Sequence, residues 1–327
     1  MKSKCAILNE NHEIEVKILE LPPLRDYDVL VKIEYAGLCG TQIGEILGKR
    51  GEDKWLPHLL GHEGSGIVIQ IGPKVEGLEP GDHVVCTWMK KNYWASDGGK
   101  KYEDTYNAGE ITTFQEHSII SENRLVKIPY YVDLLKASLY GCMIPTGAGS
   151  LMNILKPFNS NIAIIGLGNI GTAALLAARH LCYDQVTVID NDPNKEQTAY
   201  MLGAKDFKTK LEDKYDFILE CTGNLEIMES CTEYLNGKYE GSKVVLTGNP
   251  NGKVPIDIRE LNAGKVKGSW GGFKDSWHCY IEKFIDDLIS NDFNLDGLQY
   301  NIYSLDNIQQ AIDDFVNGIP GKVIIKP

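Results

Sequence analysis

The sequence predicts an α/β protein of two domains, in which a β-rich N-terminal part precedes a doubly wound parallel sheet. Its 327 residues are enough for about two domains of roughly 100–200 residues each. Short β-rich segments bounded by Gly, Pro or Asp fill the chain up to Pro129. After Pro129, apolar strand-like runs alternate with helical patterns at short intervals, which indicates βαβ units.

In the N-terminal part, β-branched and aromatic residues concentrate in four short segments, which are EIEVKILELP, DVLVKIEYAG, GSGIVIQIG and GDHVVCTW. The stretch from Lys90 to Gly109 is polar, aromatic and contains glycine, so it predicts a long loop or a small lobe. Strand character returns in TTFQEHSII and RLVKIP.

The second part opens with a helical pattern interrupted by Gly and Pro, DLLKASLYGCMIPTGAGSLMNIL. Strands and helices then alternate through NIAIIGLGNIG, TAALLAARHL, QVTVID, NKEQTAYMLGA, YDFILECTG, LEIMESCTEYL and SKVVLTGNP. Two helices and a final strand, GKVIIKP, close the chain. We expect a first domain over residues 1–142, completed by 270–327, and a second over 143–269.

Composition excludes several functions. The formal net charge of −12 argues against broad binding to nucleic acids or membrane surfaces, which requires basic patches. No apolar run reaches the roughly 20 residues of a membrane span, and the N-terminus lacks the apolar core of a signal peptide. The eight cysteines are dispersed, so in the cytosol that we expect for this chain they are buried thiols or metal ligands rather than disulfides.

A glycine turn predicts a dinucleotide site. Gly166, Gly168 and Gly171 follow the strand IAII and open a helix, which allows a tight turn, a close approach of pyrophosphate and close helix–strand packing. Asp190 ends the next strand, where its carboxylate can accept hydrogen bonds from a ribose and would repel a 2′-phosphate. This favours NAD over NADP. The alternative is a glycine turn of another α/β fold, with Asp190 capping the strand end.

A metal-ligand set is present but widely spaced. Cys39, His62 and Cys142 form a Cys2His set, and catalytic zinc uses three protein ligands and an open position. The spacing alone does not show a site. The two cysteines are equally compatible with buried thiols and His62 with a core histidine. Glu63, beside His62, is compatible with a solvated charge.

The combination of motifs resembles the zinc-dependent alcohol dehydrogenases of the medium-chain dehydrogenase/reductase superfamily. The matching segments keep the family's order over nearly the whole chain and are AGLCGT, LPHLLGHEGSGIVIQIG, EPGDHVV, the GC before IPTGAG, GLGNIG, VID and KGSWGGF. The resemblance implies a GroES-like β-barrel catalytic domain and a Rossmann domain with a doubly wound parallel sheet. It also implies hydride transfer between an alcohol and NAD, with zinc as a Lewis acid on the oxygen.

The resemblance also assigns roles to residues near the metal. Cys39, His62 and Cys142 would bind the catalytic zinc. Glu63 would be a neighbouring carboxylate or an alternative ligand, and the Thr41 hydroxyl would pass the alcohol proton toward the nicotinamide ribose. Trp88 aligns with an aromatic wall of the substrate pocket.

The implied cofactor contacts lie in the second domain. They comprise the glycine turn with Asn169 and Ile170, the pair Asp190 and Lys195, and the residues Thr146, Thr222, Thr247 and Trp270. The two arginines that bind pyrophosphate in relatives have no counterpart, because Gly40 and Ile325 occupy those places. Phosphate binding is therefore expected to depend on the turn and the helix N-terminus.

Three departures from the family pattern alter the expectations. Gly44 stands where many relatives have the histidine that ends the proton relay, and Gln42 stands where an aspartate supports the zinc-bound histidine, so His62 is expected to need another partner. Relatives carry a structural zinc on four cysteines, but the corresponding stretch here has only Cys86. We expect one zinc per chain, with the lobe either mobile or ordered by its aromatic residues.

The resulting prediction is a cytoplasmic dehydrogenase that depends on zinc and NAD. Its expected substrate is a small secondary alcohol of the polyol, sugar or amino-alcohol type. A homodimer or homotetramer is expected by analogy with relatives. Two alternatives stay open, a zinc-free reductase of the same superfamily and a non-catalytic NAD-binding relative.

Overall fold

The computed structural model describes residues 1–91, 94–152, 160–237, 241–273 and 280–327. Packing separates the chain into two compact units. The first comprises Met1–Cys142, a later helix Ile281–Ser290 and the C-terminal segment Gln299–Pro327. The second begins at Met143 and also takes in Asp292–Leu298.

The first unit is built on two sheets. The smaller has β1 (Lys2–Leu8), β2 (Ile14–Glu20), β4 (His58–Leu59), β7 (Lys100–Tyr102) and β8 (Tyr106–Gly109), in the order β2-β1-β4-β8-β7. The larger has β3 (Asp28–Gly37), β5 (Glu63–Ile71), β6 (His83–Thr87), β9 (His117–Ser121), β10 (Leu125–Ile128), β17 (Tyr300–Ser304) and β18 (Lys322–Lys326). Its order is β10-β6-β5-β3-β18-β17, and β9 also pairs with β3. The helices are α1 (Gly40–Ile46), α2 (Leu134–Ala137), α8 (Ile281–Ser290) and α9 (Ile308–Val316).

The second unit is a parallel sheet with helices. Its strands are β11 (Ile162–Ile165), β12 (Val186–Ile189), β13 (Asp206–Lys208), β14 (Phe217–Glu220), β15 (Lys243–Leu246) and β16 (Val266–Gly268), in the order β13-β12-β11-β14-β15-β16. Its helices are α3 (Met143–Met152), α4 (Asn169–His180), α5 (Glu196–Leu202), α6 (Leu225–Ser230) and α7 (Ile258–Asn262). All four residues of β11 are buried, as expected for a strand covered on both faces. The predicted α/β fold class is confirmed.

Short 3-10 turns connect several of these elements, and they span Glu122–Arg124, Ser138–Gly141, Pro193–Lys195, Cys231–Tyr234 and Leu305–Asn307. In the part of the chain that the structure describes, none of the helices has both the length and the apolar character needed to span a membrane.

Two described parts of the stretch 270–327 lie in the second unit, namely residues 270–273 and Asp292–Leu298. Asp292–Leu298 falls within the stretch 270–327 expected to complete the first domain, yet it packs with the second unit. The Phe293 ring is buried and contacts His180, with ring centroids 5.3 Å apart. Arg179 Nη2 donates to the carbonyl of Asn294 at 3.0 Å. The end of α4 therefore holds this segment.

Ionic contacts and hydrogen bonds hold the described part of the lobe, which we define as residues 90–109 without residues 92 and 93. The Arg25 guanidinium donates to the carbonyls of Asp97 (3.2 Å), Gly98 (2.7 Å) and Gly99 (3.1 Å). It also donates to the Asp28 carboxylate at 2.9 Å. One guanidinium thus connects the lobe to the start of β3. It can do so because its planar group of N–H donors can bind several acceptors at once.

Three of the lobe's four lysines are paired with carboxylates. Lys90 contacts Glu110 at 2.9 Å, Lys91 contacts Glu282 at 3.7 Å, and the buried Lys100 contacts Asp28 at 3.3 Å. Of the aromatic residues, Tyr102 is fully buried and its hydroxyl accepts from Ile119 N, whereas Trp94 is 84% exposed. Tyr93 lies outside the described residues. Charge pairs and one tyrosine therefore order this segment.

We expect Arg25→Ala to lower the free energy of unfolding by about 2 kcal/mol, because the buried Asp28 carboxylate loses a charged donor. Chemical denaturation measures this change. Lys283→Ala is the control, since it breaks an exposed ion pair with Asp287 and is expected to change stability by less than about 0.5 kcal/mol. Equal stabilities for the two variants would mean that the guanidinium does not order the lobe.

Candidate functional site

Three segments distant in sequence bring the predicted metal ligands together. Cys39 lies between β3 and α1, His62 immediately precedes β5, and Cys142 lies between the 3-10 turn Ser138–Gly141 and α3. One ligand atom from each of the three residues lies within 4.8 Å of the others. This is the one group of this kind among the described residues.

Sheet pairing explains the convergence. The end of β3 lies beside the start of β5, with Ala36 opposite Gly64, so Cys39 and His62 leave the sheet at the same edge. On the other side of β5, Glu63 lies opposite Thr87 of β6. The Thr87 hydroxyl donates to the carbonyl of Gly141 at 2.7 Å, and this brings Cys142 to the same place.

The electrostatics favour a thiolate in the cluster. A hydrogen bond from the Cys142 thiol, together with His62, holds the pKa of Cys39 well below its ordinary value. The same contact with Cys39 raises the pKa of Cys142, as does its burial. Burial alone would lower the pKa of His62, but the hydrogen bond and charge of Cys39 raise it. The two thiols and the imidazole therefore lie close enough to share protons, and a cation bound to them would take the place of those protons.

The residues fit a zinc ion. Two thiolates and one imidazole are a known catalytic zinc set, and two sulfurs on one tetrahedral zinc lie about 4 Å apart. Ligand atoms within 4.8 Å need only a small contraction to reach that spacing. Gln42 gives a second indication, because its side-chain oxygen Oε1 is buried and has no hydrogen-bond partner among the described residues.

Gln42, which stands where relatives have the supporting aspartate, contacts His62 and is therefore a candidate for the partner that His62 is expected to need. The Gln42 side chain lies in α1 and its Nε2 contacts His62 Nδ1. A half-turn of the amide would place the unpartnered Oε1 at Nδ1, where it would accept the proton of a histidine that binds metal through Nε2. An amide can therefore fix the ring as an aspartate would.

Other residues at this site take different positions. Glu63 is fully buried and its carboxylate is held by Lys322, whose side chain is also fully buried. Burial raises the pKa of Glu63 although Lys322 opposes this shift. Lys322 was missed because GKVIIKP has the pattern of an ordinary terminal strand. Thr41 lies in the first turn of α1, and Trp88 is half-buried directly after β6.

Arg50 takes the space above Gly44. A Cβ placed on Gly44 would lie 3.5 Å from both Cγ and Nε of Arg50. The guanidinium is also 3.8 Å from the Glu45 carboxylate, and its side chain is 40% exposed. Because a guanidinium does not give up its proton in proteins, Arg50 cannot act as the missing histidine would. Proton exit by another group stays a prediction.

The glycine turn of the second unit has the backbone of an anion site. Gly166 has φ +92°, and Gly168 is the N-terminal cap of α4, so no side chain blocks the first helical turn. A Cβ on Gly171 would lie 1.9 Å from the Gly166 carbonyl oxygen, so only glycine fits there. Asn169 and Ile170 begin α4 between these glycines. The turn therefore leaves backbone N–H groups accessible to a pyrophosphate.

Asp190 connects the turn to the end of β12. Its Oδ2 accepts from Leu167 N at 2.7 Å and from Lys195 Nζ at 2.9 Å, and its Oδ1 accepts from Asp192 N at 3.0 Å. Asp190 is 6% exposed. The Asp190 carboxylate thus fixes the backbone of the glycine turn. Its negative charge lies at the carboxyl end of β12, where a ribose is expected.

The remaining predicted cofactor residues divide into two groups. The hydroxyls of Thr146 and Thr247 are buried and have no partner among the described residues, as expected of groups that await a ligand. The Thr222 hydroxyl instead donates to Glu220, a fully buried carboxylate at the end of β14 that sequence reasoning missed. Trp270 is 58% exposed. An acidic residue ending the apolar strand FILE was the available signal for Glu220.

We expect two glycines of the same turn, Gly168 and Gly171, to respond differently to alanine. Gly171→Ala should cost about 1–3 kcal/mol of stability because its Cβ overlaps the Gly166 carbonyl. Gly168→Ala should leave stability unchanged, since a Cβ there meets no atom within 4 Å, but it should weaken dinucleotide binding by filling the space used by the phosphates. Thermal unfolding and dinucleotide titration separate the two effects. Normal binding by Gly168→Ala would contradict the site.

Comparisons with known proteins agree with this arrangement. Residues 25–130 match the alcohol dehydrogenase GroES-like domain. The S-(hydroxymethyl)glutathione dehydrogenase of Escherichia coli O1:K1 is 26% identical over 372 residues, covering 100% of both chains. The crystal structure of benzyl alcohol dehydrogenase from Acinetobacter calcoaceticus is similar at 27% identity and TM-score 0.83, covering 100% of this chain and 99% of that one. An alcohol dehydrogenase zinc-binding domain protein from Burkholderia ambifaria is similar at 25% identity and TM-score 0.82, with the same coverage.

Proposed function

We propose that this chain, which is similar to alcohol dehydrogenases over its whole length, is a zinc-dependent member of the medium-chain dehydrogenase/reductase superfamily. In this proposal it transfers hydride between a small secondary alcohol and NAD, using one zinc ion per chain. The observation that carries the proposal is the convergence of Cys39, His62 and Cys142, whose ligand atoms lie within 4.8 Å of one another. A zinc-free mechanism would not require two thiols and an imidazole to converge at the edge of the sheet.

The chain's own groups divide the work. Cys39, His62 and Cys142 would hold the zinc, which when bound supplies a Lewis acid that polarises the alcohol oxygen. Thr41, in the first turn of α1, is proposed to relay the alcohol proton: its hydroxyl would accept that proton while releasing its own toward the nicotinamide ribose of the bound cofactor. The glycine turn and the N-terminus of α4 bind the pyrophosphate and orient the nicotinamide cofactor.

The proposed preference for NAD rests on charge. The Asp190 carboxylate is buried beside the turn, and one of its oxygens contacts Lys195 Nζ at 2.9 Å. A 2′-phosphate would have to displace or face that carboxylate, whereas ribose hydroxyls can donate to it. Thr146 and Thr247 supply two further hydroxyls that lack partners among the described residues.

The proposed substrate is a polyol, sugar or amino alcohol without phosphate. Three lobe lysines are paired with the chain's own carboxylates and are not available to a phosphorylated substrate. Trp88 is half-buried after β6, and we propose that its indole forms one wall of the pocket. A large aromatic wall narrows a pocket and can donate one hydrogen bond to a hydroxyl.

We propose that the domains correspond to the two packed units and that the protein assembles as a homodimer or homotetramer. The parallel sheet ends at β16, and an edge strand offers backbone groups to a second copy. Size-exclusion chromatography with light scattering tests the assembly.

Elemental analysis and turnover test the function. The purified protein should contain about one zinc per chain and reduce NAD in the presence of vicinal diols, sugar alcohols or amino alcohols, with slower turnover of ethanol as the control substrate. Zinc-free protein with no turnover would favour a non-catalytic NAD-binding relative. Two zinc ions per chain would mean that a second site exists in the lobe or elsewhere.

A further inference from the structure

Lys322 is a fully buried lysine in the last strand of the chain. It begins β18, and its Nζ donates to the Glu63 carboxylate and to the carbonyl of Leu38 at 3.0 Å. Neither Lys322 nor Glu63 has any exposed side-chain surface. Burying two charges carries a large desolvation penalty, and apolar residues of similar size are often as stable. The pair therefore calls for an explanation other than stability.

The Lys322–Glu63 pair contacts the segments of two metal ligands directly. Leu38, which accepts from Lys322, immediately precedes Cys39, and its N–H donates to the carbonyl of Val323 at 3.0 Å. Glu63 immediately follows His62. The backbone that carries each ligand is thus fixed to β18 or to the ion pair itself.

The third ligand segment packs against the same pair. Gly141 immediately precedes Cys142, and a Cβ at Gly141 would lie 2.9 Å from the Glu63 Cβ. On the opposite side, a Cβ at Gly37 would lie 2.5 Å from Glu63 Oε1 and 2.9 Å from Lys322 Cε. Glycines on both sides of Glu63 let the backbone close around it.

We propose that Lys322 is a positioning residue of the metal centre, because its ammonium fixes the Glu63 carboxylate and the Leu38 carbonyl and so holds the three ligand segments at binding distance. This inference rests on the proposed function, since it concerns the same metal centre. The Lys322 ammonium donates to the Leu38 carbonyl and to the Glu63 carboxylate. It acts through the backbone next to Cys39 and His62.

The buried Lys100 provides a matched control. It lies in the same unit, its side chain is 4% exposed, and it pairs with the buried Asp28 at 3.3 Å. It contacts none of the segments next to the metal ligands in the described structure. If Lys100 only stabilises the fold and Lys322 also positions the metal ligands, replacing each lysine should change thermal stability similarly. Only the replacement of Lys322 should lower the metal affinity.

The test is metal affinity measured on the full chain. The metal-stripped wild type, Lys322→Met and Lys100→Met are titrated with Zn²⁺ against a chromophoric chelator and with Co²⁺, whose visible spectrum reports thiolate coordination. We expect Lys322→Met to bind Zn²⁺ about 10–100-fold more weakly, as for other groups that orient metal ligands, and to shift the Co²⁺ spectrum. Lys100→Met should keep the wild-type affinity and spectrum, and Lys322→Arg should recover most of the affinity.

A second variant covers the possibility that Lys322→Met does not fold. Glu63→Gln combined with Lys322→Met removes both charges, leaves no unpaired charge buried, and should still bind Zn²⁺ at least about tenfold more weakly than wild type. Wild-type affinity in either variant, with a normal Co²⁺ spectrum, would overturn the inference and leave the proposed function intact. A wild type that binds neither metal would overturn the proposed function and this inference with it.

Discussion

Replacing Cys39 with alanine should remove zinc and reduce alcohol oxidation by at least about 10³-fold, while NAD binding stays near the wild-type value. One of the three protein ligands is lost, and Cys142 and His62 alone are fewer ligands than a catalytic zinc uses. Polarisation of the alcohol by the metal contributes several kcal/mol, and each 1.36 kcal/mol corresponds to tenfold in rate. The dinucleotide residues lie in the second unit and are untouched.

Elemental analysis, initial rates and NAD titration measure the three effects of Cys39→Ala. Cys182→Ala is the matched control, since this cysteine is exposed and belongs to the second unit. It should retain zinc, turnover and NAD binding. A Cys39→Ala protein that is free of metal but fully active would contradict the proposed chemistry.

Replacing Asp190 with asparagine should reduce the preference for NAD over NADP by about tenfold to a hundredfold. The change keeps the size of the side chain but removes the negative charge, so a 2′-phosphate is no longer repelled and Lys195 is left to attract it. A tenfold change corresponds to about 1.4 kcal/mol. The ratio of kcat/KM for the two cofactors measures the effect.

Asp192→Asn serves as the control for Asp190→Asn. Asp192 is a neighbouring carboxylate that caps a 3-10 turn by accepting from Asn194 N at 3.0 Å, and we expect its replacement to leave the cofactor ratio unchanged. Equal ratios for Asp190→Asn and the wild type would show that another group selects the cofactor.

The fold could be predicted where local patterns and tertiary structure agree. The strands β11 and β14 are the short, mostly apolar runs IAII and FILE; glycine follows the first and an acidic residue ends the second. All of their residues are buried, which explains this apolar composition. β1 and the hairpin β7–β8 are absent from the prediction. β1 begins KSK, and its apolar residues are buried because β2 and β4 pair with it and because it packs into the core of the first unit. The hairpin follows a polar stretch in which the Gly98 carbonyl accepts from the distant Arg25, a contact that local sequence does not reveal.

The candidate site was predictable in its residue types but not in its supporting contacts. Cys39, His62 and Cys142 stand in recognisable motifs, yet their convergence depends on the register of β3, β5 and β6, which spacing does not reveal. The sequence around Lys322 is typical of a solvated lysine near the end of a chain. In the structure, β3 and β17 flank β18, which carries this lysine. Long-range packing, rather than local preference, decides such positions.

The Arg25 contacts have a consequence for how the protein would fail under stress. Relatives that fold this region around a second zinc on four thiolates can lose its shape when oxidants attack the sulfurs or when zinc is scarce. Here a guanidinium and backbone carbonyls do the same task, and neither is oxidised under such conditions. If the proposed single zinc is correct, we expect metal starvation to stop turnover while these contacts keep the lobe in place, so that resupply of zinc alone restores activity.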